Sequence, residues 1–164
     1  MTDASQPLRA EIIDTGDERI VSAQIVIDAP ADVIFDILIQ PRRHFEFDGS
    51  RTVQGVIEGP ERLGPGDTFK VRMKVGIGYW VTNTVLDLEP DRRITWAHLL
   101  GNRWTYELTP LPEGGTLVRE TNDIRAAGWK ASLSPVGRNP RIGQKSIAKS
   151  LVLLKELVES GVGS

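Results

Sequence analysis

Between residues 19 and 28 the apolar positions alternate. Val21, Ala23, Ile25 and Ile27 share one face of RIVSAQIVID, the period-two mark of a strand buried on one side. The pattern stops at Asp28-Ala29-Pro30. Pro30 suits the start of a helix, where a missing N–H costs nothing. In the run that follows, Val33, Ile34, Ile37 and Leu38 fall on one helical stripe, and Pro41 ends it. A second short helix or turn covers PRRHFEFD. From residue 51 to 123, strands alternate with turns. RTVQGVIEG is one strand, and the glycine-rich stretch 59–66 is a loop. DTFKVRMKV then sets Phe69, Val71, Met73 and Val75 on one face against Lys70, Arg72 and Lys74 on the other. YWVTNTVLDL, RITWAHLL, RWTYELTPL and TLVRETND complete the set, separated by Gly, Pro, Asn and Asp. Residues 125–143 are irregular, with glycines and prolines throughout. The last segment is a long amphipathic helix, with Ile147, Leu151, Leu154 and Val158 on one face.

The predicted order is strand, two short helices, six strands, long helix. Six strands joined by short turns make a meander, and the first strand brings the sheet to seven, all antiparallel. One face of the sheet is apolar and must be covered. The C-terminal helix is the one element long and apolar enough to cover it, so the sheet is expected to wrap around that helix, an α+β fold. Residues 1–17 are polar without a sustained period and are expected to form a flexible N-terminal arm. A single domain is expected over 18–160.

Composition narrows the function classes. The chain has 164 residues with 20 Lys and Arg against 22 Asp and Glu, a formal charge of −2. That balance argues against nucleic-acid binding, which needs clustered positive charge. With no cysteine and two histidines, thiolate metal sites, a Cys nucleophile and a three-His site are excluded. No apolar run reaches the ~18 residues of a membrane span, so no integral membrane association is expected. The first 18 residues lack the basic and apolar regions of a secretory leader, which points to the cytoplasm.

Several local stretches resemble one family. They are IVIDAPADVIF at 25–35, PRRHFEFD at 41–48, the glycine loop followed by Asp67-Thr68-Phe69, LEPDRRITW at 88–96 and LTPLPEGGT at 108–116. In this order they resemble the Bet v 1-like or START (SRPBCC) superfamily, and within it the bacterial polyketide cyclase/dehydrase and lipid-transport group. That family often carries Trp where this chain has Phe47. The resemblance implies the helix-grip fold and a large cavity between sheet and helix. It implies a hydrophobic small-molecule ligand, lipid- or polyketide-like; no cofactor is expected. The oligomeric expectation is a monomer or homodimer.

Candidate residues follow from the face they share. Ligand contacts are expected from Phe69, Val71 and Met73, from Tyr79 and Asn83, and from Trp96 and His98. Trp104 and Tyr106 on the next strand join them, with Ile147, Leu151 and Leu154 closing the cavity from the helix. His98 has the parity of Ile94 and Trp96. An imidazole in an apolar cavity is suited to proton transfer near neutral pH, or it is a core histidine bonded to a backbone carbonyl. His98, Tyr106 and Glu120 are the weak catalytic candidates. Glu120 enters the cavity with Asn122 if Val118 faces in, whereas Arg119 enters if Leu117 does. The sequence leaves this register open, and that of 79–88 too. Trp129 either caps the cavity mouth or packs on the sheet edge. The glycine loop lacks the GxxxxGK[ST] pattern of a phosphate loop. His44, Glu46 and Asp48 alternate, but a helical turn would fan them apart, so a solvated charged turn is expected and no metal site. Three functions fit: a non-catalytic carrier, an enzyme of cyclase/aromatase or dehydratase type, and a protein-interaction module of co-chaperone type.

Overall fold

The computed structural model describes residues 9–133 and 135–162. Strands β1 (Glu11–Ile13) and β2 (Ile20–Ile27) lead into α1 (Ala31–Leu38) and a 3-10 segment, Pro41–Phe47. Strands β3 (Val53–Glu58), β4 (Thr68–Val75), β5 (Ile77–Glu89), β6 (Arg93–His98), β7 (Arg103–Pro110) and β8 (Thr116–Asp123) follow. A second 3-10 segment, Arg125–Leu133, and α2 (Pro135–Arg138) connect to α3 (Pro140–Val162). The eight strands form one antiparallel sheet in the order β1-β2-β8-β7-β6-β5-β4-β3.

The sheet therefore has one strand more than the alternation predicts. Glu11–Ile13 lies in the segment expected to be a flexible arm, yet it pairs with β2 from Glu11↔Gln24 to Ile13↔Ser22. Three residues are too few to show a period, and backbone pairing rather than burial holds this edge strand. Residues 1–8 of the expected arm lie outside the described residues.

The register settles which face is inside. Val21, Ala23, Ile25 and Ile27 of β2 are buried, and so are Val118 and Leu108 on the neighbouring strands. With Val118 inside, Glu120 and Asn122 face in and Arg119 faces out. On β5 a bulge between Val85 and Asp87 leaves Leu86 exposed, so Val85 and Leu88 both turn to the core. A strict alternation cannot show such a step.

Helix α3 begins at Pro140, with the Asn139 Oδ1 accepting the Arg141 N–H at 3.1 Å. Its buried stripe, Ile147, Leu151, Leu154 and Val158, joins the inward residues of the sheet in one cluster. The C-terminal half is tied to the end of β2. Glu159 accepts the Asp28 N–H at 2.9 Å, and Lys155 Nζ donates to the Val26 carbonyl at 2.8 Å. Further along, the Gly49 N–H donates to Ser150 Oγ at 2.9 Å, which draws the chain after the 3-10 segment onto the helix. The start of α1 is held by the buried Thr116 hydroxyl, which donates to the Ala29 carbonyl at 2.8 Å. Thr116→Val keeps the shape and strands that carbonyl. It should cost about 1–2 kcal/mol in urea unfolding, and a loss under a few tenths would show that the bond is dispensable.

Candidate functional site

The inward face of an antiparallel sheet would ordinarily be apolar. Here β5, β6 and β8 place Asn83, His98, Glu120 and Asn122 on it. Asn83 pairs with His98, Trp104 pairs with both Trp96 and Asn122, and Tyr106 pairs with Glu120. A polar band thus crosses the sheet with Trp104 in its middle. The His98 and Trp104 rings lie 5.9 Å apart. Glu120 and Asn122 are each only 3 % exposed.

Three atoms of the band have no hydrogen-bond partner among the described residues: His98 Nδ1, Glu120 Oε2 and Asn122 Oδ1. Buried polar atoms are almost always paired, and an unpaired one costs about 1–3 kcal/mol. Two of the three stand on alternate positions of β8 and the third on β6, beyond β7, all on the inward face of the sheet. Burial acts on their charge states as well. It drives the Glu120 carboxyl up to about 8, against a smaller opposing effect of Tyr106. Glu120 is therefore mainly protonated at neutral pH. Burial raises the Tyr106 phenol well above its ordinary value, and the nearby Glu120 carboxyl adds to the rise. His98 is lowered by burial and is neutral near pH 7.

An aromatic layer lies beneath the band. The His44 ring stacks on Trp96 at 4.9 Å and meets the edges of Phe47 and Phe69 at 5.6 Å. Trp96 in turn lies 5.7 Å from Tyr106. His44 Nε2 is 2.8 Å from the Leu38 carbonyl, which can only accept, so that nitrogen carries the proton. Burial pushes the imidazole down to about 4. The expected solvated turn is thus corrected at this residue: Glu46 pairs with Arg43 outside, while His44 is core. A usable signal was present. Pro41, His44 and Phe47 are spaced by three, and a 3-10 helix has three residues per turn, so they share a buried face. No cluster of three or more metal-ligating side chains occurs among the described residues.

The other expected contact residues divide by depth. Phe69, Val71, Trp96, Tyr106, Ile147, Leu151 and Leu154 are buried in the common core. Asn83 is buried beside them, whereas Met73, His98 and Trp104 are half-buried. Tyr79 is 45 % exposed on the β4–β5 hairpin, and Trp129 is 75 % exposed, so neither belongs to the buried core. Two concavities among the described residues are open grooves elsewhere. One runs between α1 and the end of α3, past Asp36, Ile39 and Leu157. The other crosses the outer face of the sheet at Leu86, Thr95 and Thr121. The polar band itself lies where the buried core gives way to the half-buried Met73, His98 and Trp104. No helix among the described residues is long and apolar enough to cross a membrane.

Comparison with known proteins fits this architecture. An aromatase/cyclase from Streptomyces sp. R1128 superposes with a TM-score of 0.66 at 19 % identity, covering 87 % of this chain and 94 % of that one. An AHSA1-like protein from Aeromonas hydrophila gives 0.63 at 21 % identity, over 88 % and 95 %. At such identities the likeness concerns the fold. In sequence, an uncharacterized Mycobacterium tuberculosis protein, Rv0088, is 42 % identical over 118 residues, 71 % of this chain and 52 % of that protein. The chain thus spans about half the length of the curated relatives it matches. Residues 18–159 match the family described as polyketide cyclase/dehydrase and lipid transport, nearly the whole helix-grip sheet and its helix, and the chain belongs to that family.

Proposed function

We infer that the protein binds a hydrophobic small molecule bearing a hydrogen-bonding group, with that group meeting the band of Asn83, His98, Glu120 and Asn122. One observation carries this reading: three buried atoms on the inward face of the sheet, one on β6 and two on β8, have no hydrogen-bond partner among the described residues. A fold that leaves them unpaired loses stability, and a ligand that pairs them returns it. The aromatic layer and the α3 stripe supply the apolar part of the site. The best test is Asn122→Leu. It removes an unpaired polar atom and keeps the volume, so melting temperature should rise. Affinity for the molecule that co-purifies with the protein, identified by native mass spectrometry, should fall about fivefold, the worth of one hydrogen bond. Unchanged affinity, or the absence of any co-purifying small molecule, would refute the assignment.

A second reading has its own support. A carboxyl held mainly protonated at pH 7 beside a phenol is equipped to give a proton to a bound carbonyl compound, as a cyclase or dehydratase requires. In that case Glu120→Gln should leave ligand affinity nearly intact and slow turnover by about 10²–10⁴-fold. His98 stands one strand further away, with Trp104 between it and the Asn122 position.

A further inference from the structure

We propose that the end of the sheet carrying the β4–β5 hairpin, the β6–β7 turn, the segment 125–133 and the start of α3 docks on the surface of an anionic phospholipid bilayer. The strand register gathers these pieces. Leu99 N–H bonds the Thr82 carbonyl, so the hairpin residues 76–80, all exposed, extend past the end of β6. Arg103 pairs with Asp123, which brings the β6–β7 turn beside the end of β8, where the 125–133 segment begins. Contact is close there, for a Cβ on Gly101 would lie 2.9 Å from Ala126. The far end of α3 is tied to the opposite end of β2, so its N-terminus lies at this end too.

Two properties coincide on this end. The first is exposed apolar surface at turn tips, where folding gains nothing from it: Ile77 at 83 %, Leu99 at 82 % and Trp129 at 75 %, with Trp80 and Leu133 about half exposed. The second is charge. Residues 71–86 and 124–149 hold eight of the 20 Lys and Arg and none of the 22 Asp and Glu, in a chain of net charge −2. Lys74, Lys130, Arg138, Arg141 and Lys145 are exposed, and none has an acidic partner among the described residues. The nearby carboxylates of Asp17 and Asp123 are already held by Arg19 and Arg125. Trp and Leu tips among free cations match an interface with phosphate headgroups above acyl chains. A nucleic acid would use the cations and leave the isolated Ile77 and Leu99 without a role.

The experiment is co-sedimentation with phosphatidylcholine vesicles, with and without about one third phosphatidylglycerol, read together with Trp emission. Binding to the anionic vesicles with a blue shift, weakening as salt rises, is expected. Lys130→Glu with Arg141→Glu should weaken it at least tenfold, since each cation near such a surface contributes measurably. Leu99→Ser with Trp129→Ala should also weaken it about tenfold, with circular dichroism unchanged. Equal binding to neutral vesicles, no binding to anionic ones, or loss in the charge variant alone alongside tighter binding to an oligonucleotide would each overturn the proposal. Asn122→Leu should dock like the wild type, which separates this surface from the interior site.

Discussion

Glu120→Gln should stabilise the protein by about 3 kcal/mol at pH 7 and by close to nothing at about pH 4. The unfolded carboxyl titrates near 4.5, whereas burial raises the folded one to about 8. The folded state therefore binds the proton more tightly. Its contribution is complete below the unfolded value and is lost as pH climbs toward the folded value. At pH 7 the wild type must keep a proton that its unfolded chain would release. Glutamine has nearly the same shape, is neutral at every pH and carries no such penalty. The histidines act in the opposite direction. Burial lowers His44 from 6.5 to about 4 and lowers His98 as well, so their contribution is present above 6.5 and lost on acidification. Taking the difference between wild type and variant at each pH removes the histidine contribution. Urea midpoints at a series of pH values give the curve directly. A difference that does not grow between pH 4 and 7 would mean that Glu120 is ionised in the folded protein, and the reading of it as a proton donor would fall with it.

Gly49→Ala should cost about 3 kcal/mol, at the upper end for overpacking by one methyl group. A Cβ on Gly49 would lie 2.6 Å from the Ser150 nitrogen and closer still to the Ser146 carbonyl oxygen. Both are backbone atoms of α3, so no side chain can turn aside to make room. The helix must move off the sheet, which uncovers Ile147 and Leu151 and stretches the bond from Gly49 to Ser150. Gly161→Ala is the matched control. That glycine lies in the same helix with no atom of the described residues within 4 Å of the added methyl, so it should be neutral or gain a few tenths of a kcal/mol. Equilibrium unfolding followed by Trp fluorescence compares the two. If Gly49→Ala costs under about 1 kcal/mol, α3 is not clamped at this point.

Much of the frame was legible because burial imposes a period on the chain. The alternation in β2 and β4, the stripe on α3 and the stop at Pro41 needed no partner to be recognised. The site was legible only by parity. Trp96 and His98 could be placed on one face together, yet which face of β8 was inward required its pairing with β2 and β7, since Leu117 and Val118 are equally apolar. His44 was missed for a different reason. Its neighbours Arg42, Arg43 and Glu46 made the segment look solvated, and its own burial depends on Trp96, some fifty residues later in sequence.

By itself, then, the sequence determined the strands from β2 to β8, the first helix and the long last one, and their order, but not β1 or the short helical segments within 125–138, which it read as irregular. The tertiary structure alone decided the strand at Glu11–Ile13, the inward turn of Glu120 and Asn122, and the stacking of His44 on Trp96. Each of these depends on pairing between residues far apart in the chain. A local pattern carries no record of such a pairing, because a polar side chain reads the same whether water or a folded neighbour stands beside it.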